Sequence, residues 1–101
     1  MPLAKLDAFE PDTVNLAEFA KALSHPARIE ILRLLAVPGE HPCMEIVRNL
    51  PLSQPACSRH INELLRTGLI SSRTQGSNVF YKLDKAVLLR FGAALRKILH
   101  I

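Results

Sequence analysis

After Gly68 the spacing of apolar residues changes from every third or fourth position to about every second, and at Asp84 it changes back. A helix repeats its faces every 3.6 residues and a strand every 2, so the switch marks a short β segment set between helical blocks. Leu69-Ile70-Ser71-Ser72-Arg73-Thr74 and Asn78-Val79-Phe80-Tyr81-Lys82-Leu83 read as two strands, with turn residues Gln75-Gly76-Ser77 between them. That is a β-hairpin. A lone hairpin is marginal in water, so it must lean on the helices around it.

The helical blocks can be bounded from their own residues. The first pattern starts near Asp12-Thr13, either of which can cap it, and continues through Leu16, Phe19, Ala20 and Leu23. Ser24-His25-Pro26 interrupts it, with Ser24 as the expected cap of a second helix carrying Ile29, Leu32 and Leu35, widened by Ile31 and Leu34. Val37-Pro38-Gly39 ends that helix, and a short third begins around Pro42 with Cys43, Ile46, Val47 and Leu50 inward. Pro51-Leu52-Ser53 is a tight break, Ser53 caps a fourth helix reaching Arg66-Thr67, and Gly68 stops it. Asp84 caps a fifth, apolar over a broad face through Val87, Leu88, Phe91, Ala94, Leu95, Ile98 and Leu99. The expected fold class is mainly α with a β-hairpin wing: four helices, a hairpin, then a helix.

With 101 residues there is room for one domain, expected at residues 12–101 behind an N-terminal arm at 1–11. The absence of Trp makes the core aliphatic. No apolar run approaches the roughly 20 residues that span a bilayer, and the first residues lack the apolar stretch of a secretion signal. Two cysteines are too few for a disulfide scaffold, so a cytoplasmic location is expected. Paired carboxylates, a Gly-rich phosphate loop and a nucleophile with a base are all missing, so neither an enzyme nor a cofactor is expected.

Charge is unevenly spread. Residues 1–20 hold one lysine against four acids, whereas residues 53–82 hold Arg59, Arg66, Arg73 and Lys82 against Glu63 alone. A basic central block suits a polyanion, although a solvated face gives the same pattern. Projecting the fourth helix at about 100° per residue places Ile61, Leu64 and Leu65 within about 80° of Cys57. Pro55, Arg59, Asn62 and Arg66 fall near the opposite direction, with Ser58 on the flank. Two helices joined at Leu50-Pro51-Leu52-Ser53 and followed by a ribbon describe a winged helix-turn-helix, whose second helix enters the major groove of DNA. Gln and Arg carry the donors and acceptors that read adenine and guanine edges. A winged helix used for protein contacts, or for non-specific nucleic-acid binding, is the alternative; it calls for an apolar or acidic outer face in the protein case.

Leu23-Ser24-His25-Pro26-Ala27-Arg28-Ile29-Glu30-Ile31-Leu32 resembles the start of the second helix in the arsenic-repressor (ArsR/SmtB) family of bacterial regulators. Ser53-Gln54-Pro55-Ala56-Cys57-Ser58-Arg59-His60-Ile61 is similar to its recognition-helix motif, and Gly68-Leu69-Ile70 through Tyr81-Lys82-Leu83 to its run into the wing. The resemblance implies a homodimer joined through the first and last helices, bound to an imperfect palindromic operator and blocking transcription until a signal arrives. It implies DNA contacts at Gln54, Ser58 and Arg59. Ser53 and His60 are added as backbone contacts, Arg73 and Lys82 as wing residues meeting phosphate, and Arg66 and Asn78 as further DNA-binding candidates.

The metal-sensing relatives imply ligands that this sequence lacks. The Cys-x-Cys positions of the arsenic and cadmium type hold Pro42 and Met44, and the zinc positions on the last helix hold Lys85, Val87, Ile98 and Ile101. His41, Cys43, Cys57 and His100 remain, of which His41 and Cys43 supply two ligands where zinc wants three or four. No metal is expected. Cys43 and Cys57 both lie within the DNA-reading unit, and are carried as redox-sensing candidates beside the reading in which they only pack.

Overall fold

The computed structural model describes residues 8–101, so most of the expected N-terminal arm lies outside the described residues. Helices α1 (Pro11–Ala22) and α2 (Pro26–Leu35) lead into a two-residue strand β1 (His41–Pro42) and helix α3 (Cys43–Asn49). Then come α4 (Gln54–Arg66), the hairpin β2 (Ile70–Gln75) and β3 (Asn78–Leu83), and the last helix α5 (Lys85–Leu99).

Most boundaries follow local chemistry. The Ser53 hydroxyl accepts a bond from the Ala56 amide at 3.3 Å, and Asp84 Oδ1 accepts one from Val87 at 3.2 Å. Each relieves one of the orphan donors at a helix start. Gly68 takes φ +80° beyond the end of α4, and Gly76 takes φ +62° in the hairpin loop while Ser77 does not. Glycine at the first central position is the mark of a type II′ turn.

Two caps differ from expectation. α1 starts at Pro11, its N-cap position held by Glu10 without a side-chain bond, so Asp12 lies in the first turn rather than capping. Proline at the first helical position has φ preset and no N–H to satisfy, which lets the helix start without a cap. At α2 the cap is His25, whose Nδ1 accepts from the Ala27 amide at 3.0 Å; Ser24 instead donates its hydroxyl to Lys21 O at 2.6 Å and finishes α1.

The sheet also holds one strand more than expected. β1 pairs antiparallel with β3, His41 opposite Tyr81 and Pro42 opposite Phe80, giving the order β1-β3-β2. This is the tertiary support the hairpin required. Behind it, Ile31, Ile46, Cys57, Ile61, Leu64 and Leu69 are fully buried in one aliphatic core. α5 is different: Val87 is its one buried residue, while Leu89, Leu95, Ile98 and Leu99 are exposed. α5 packs on α1, with Phe19 edge-on to Phe91 at 5.7 Å.

Candidate nucleic-acid interface

α4 has two chemically distinct sides. Cys57, Ile61 and Leu64 face inward, and Gln54, Pro55, Ser58, Arg59 and Asn62 are exposed. The inward set is spaced three and four residues apart, so burying it turns the polar set outward along the helix's N-terminal half. Ser53, Gln54, Ser58 and Arg59 therefore share one exposed surface. Among the described residues Arg59 has no ion-pair partner, which leaves its guanidinium available to a ligand. Its five donors in a planar fork suit the paired acceptors of guanine.

His60 departs from its expected place. It is half-buried, and its Nδ1 accepts from Arg28 Nε at 3.1 Å. Its ring meets that of His25 at 4.3 Å between centroids. Burial, and then its interaction with His25 and the positive fields of Arg28 and Arg59, hold its pKa below the ordinary imidazole value. At about 100° per residue His60 falls on the flank of the buried side of α4 rather than on the outward surface, and Arg28, whose part the sequence did not disclose, holds it there.

Arg66 and Arg73, both expected to meet DNA, are engaged within the subunit. Arg66 lies in the last turn of α4, with Nη2 on Glu63 at 3.0 Å and Nη1 on Glu18 of α1 at 3.2 Å. Arg73 on β2 binds Glu40, Nε to Oε2 and Nη2 to Oε1 both at 2.8 Å, and lies over the Phe80 ring. These pairs lower the carboxyl pKa of Glu40 and of Glu63 through hydrogen bonds from their arginines. Asn78 and Lys82 are exposed on β3, Asn78 opposite Gln75 at the wing tip. Lys82 lines a half-open cleft of about 530 Å³ with Ser71 and Lys85 at the wing base.

The remaining thiols and histidines are also placed. Cys57 is 0% exposed within the core, and Cys43 is half-buried in the first turn of α3. Tyr81 is held above its ordinary pKa by burial and by the Cys43 thiol. His41 is buried, its Nδ1 2.8 Å from Glu45 Oε2 and its Nε2 2.7 Å from Val37 O, so both ring nitrogens are engaged. His100 is exposed at the end of α5 in the left-handed conformation. Among the described residues no three His, Cys, Asp or Glu side chains gather as a metal site, and no helix is long and apolar enough to cross a membrane.

A helix-turn-helix domain family matches residues 23–73, the span from the end of α1 to Arg73 on β2. The chain is 34% identical over 86 residues to the biofilm growth-associated repressor of Agrobacterium fabrum, covering 83% of this chain and 73% of that protein. Another relative, the arsenical resistance operon repressor of Staphylococcus aureus, is 34% identical over 73% of this chain and 70% of its own length. The solved ArsR-like transcriptional regulator from Rhodococcus sp. RHA1 superposes with TM-score 0.75 at 30% identity, covering 85% of this chain and 80% of that one. The chain belongs to the ArsR family. Like its relatives, this ArsR-family chain is a DNA-binding transcriptional regulator with a winged helix-turn-helix fold. In that fold α3 and α4 are the helix-turn-helix, α4 is the recognition helix, and β2-β3 is the wing.

Proposed function

We propose that the protein is a cytoplasmic, non-enzymatic repressor that binds an imperfect palindromic operator as a homodimer. Residues 12–101 act as one DNA-binding and dimerisation unit. The observation that carries the reading is the outward surface of α4, where Gln54, Ser58 and Arg59 stand exposed over a buried Cys57-Ile61-Leu64 backing. Arg59 and Gln54 read base edges, and Ser58 meets a base or phosphate. Ser53 lies at the helix N-terminus, where the macrodipole favours a phosphate. Lys82 and Asn78 touch the backbone from the wing. Arg73 reaches phosphate only by exchanging Glu40 for it, and we assign Arg66 to the tie between α4 and α1 rather than to DNA.

The exposed apolar side of α5 supports dimerisation. Leu89, Leu95, Ile98, Leu99 and Ile101 form more surface than a lone helix leaves open to water, and a second copy of α1 and α5 would cover it. A two-fold dimer sets two recognition helices against two half-sites, which is why a palindrome is the matching target. Of the two thiols, Cys43 is the one a thiol-reactive signal can reach at the surface, and we place release there; Cys57 packs. The test of the function is selection of duplexes from a random pool by the full-length protein, followed by footprinting. A two-fold-symmetric protected site supports the reading, and failure to enrich any sequence overturns it.

A further inference from the structure

The start of α2 and the middle of α4 meet through three residues that carry no charge-balancing acid between them. Arg28 on α2 donates Nε to His60 Nδ1 at 3.1 Å, and its Nη1 donates to Lys21 O at 2.9 Å at the end of α1. His25 accepts the Ala27 amide on its own Nδ1, and its ring packs against that of His60 at a 41° tilt. Both imidazoles thus use Nδ1 as an acceptor, which only the neutral ring with its proton on Nε2 can do. The charged groups acting on His60 besides His25 are Arg28 from α2 and Arg59 from its own helix α4. Glu63, one turn along α4, is bound to Arg66 and also lies in the positive fields of Arg28 and Lys21.

We infer that His25, His60 and Arg28 form a proton-sensitive latch that fixes the recognition helix against α2, with His60 a positioning residue acting through Arg28 rather than a contact to DNA. The inference rests on α4 being the DNA-reading helix. A proton on His60 Nδ1 points N–H at N–H and expels Arg28, and a proton on His25 Nδ1 removes the cap of α2. Either event frees the Gln54–Arg59 half of α4 from its support. The sign separates this from a direct contact. A protonated His60 on phosphate would strengthen DNA binding in acid, whereas the latch weakens it.

The test measures affinity for a duplex selected at pH 7.5, at constant ionic strength from pH 8 to 5.5, with circular dichroism confirming the fold throughout. Wild-type affinity should fall below pH 6.5, by about tenfold per pH unit for each proton that binding must expel. Asn presents an acceptor near the position of Nδ1 and does not titrate, so a His25→Asn/His60→Asn double variant should lose this acid limb, while His60→Leu should bind weakly at every pH. Wild-type affinity that is flat or rises in acid, or an unchanged acid limb in the double Asn variant, overturns the latch. Failure to enrich any duplex at pH 7.5 instead refutes the DNA reading. The latch is then judged by NMR: a His60 ring that titrates below pH 6.5 in step with release of the Arg28 Nε–H supports it, and a His60 ring that titrates with the Arg28 Nε–H unchanged overturns it.

Discussion

Arg73 and Glu40 hold one another through a fork of two 2.8 Å bonds although 33 residues separate them, tying the outer strand of the wing to the loop ahead of β1. The guanidinium is simultaneously stacked over Phe80, so the wing cation is kept in one place by a carboxylate on one side and a ring on the other. The arrangement makes Glu40 a competitor of phosphate for the same arginine.

Replacing that competitor should strengthen DNA binding. Glu40→Gln leaves the shape and removes the charge, so affinity for a random duplex should rise severalfold. The slope of log K against log salt should steepen by about one counterion as Arg73 becomes a full phosphate contact. Titrations at several salt concentrations check this, and an unchanged slope contradicts the competition.

His41 should make the fold weaker in base. Both of its nitrogens face oxygen acceptors, Val37 O and Glu45 Oε2, a setting that the imidazolium satisfies and the neutral ring does not. The Val37 carbonyl first, then Glu45, raise its pKa above the ordinary imidazole value. A raised folded-state value gives stability that is complete below the unfolded pKa and lost as pH rises through the folded one. Urea unfolding should thus show a decline above pH 6.5, about 1.4 kcal/mol for each unit of difference between folded and unfolded values. His41→Gln should be less stable than wild type at pH 6 and lack that decline. A wild-type stability equal at pH 6 and 8.5 contradicts it.

The recognition helix and wing were legible because their signals are local. Ser53, Gly68, Gly76 and Asp84 are punctuation that acts over a few residues, and the three-four spacing of Cys57, Ile61 and Leu64 fixes which side of α4 is buried. What sequence reasoning missed depends on distant neighbours. β1 is two residues long and contains a proline, too short for any period, and exists because Tyr81 and Phe80 lie across from it. Ser24 and His25 are both able to cap, and the choice goes with a ring packed against His60 and an arginine spanning α2 and α4. Arg66 and Arg73 read as available cations because Glu18 and Glu40 lie 48 and 33 residues away in the chain.

Thiol reactivity should divide the cysteines. Cys57 is fully buried among Ile46, Ile61 and Leu64, whereas Cys43 keeps some surface at the start of α3. A chromogenic disulfide reagent should titrate one thiol per native chain and two in denaturant. N-ethylmaleimide on Cys43 should weaken operator binding, with Cys43→Ser resistant. Two thiols reacting at equal rates in the native protein contradict the assignment.

The exposed end of α5 should hold the dimer. Leu99, 55% exposed beside Ile98 and Leu95, has no role in the core of its own subunit. Leu99→Glu should sediment at the 11.2 kDa of one chain while wild type sediments at about twice that mass, with helical content unchanged. Wild type at monomer mass at micromolar concentration contradicts the interface.

The outward surface of α4 is tested most directly by comparing Arg59→Ala with wild type on a selected operator and on a random duplex of equal length and salt. The expected result is a loss of about 1–3 kcal/mol on the operator, a small loss on random DNA, and relaxed base preference at one position in each half-site. Equal losses on both duplexes would make Arg59 a phosphate contact, and an unchanged operator affinity would remove α4 from the DNA altogether.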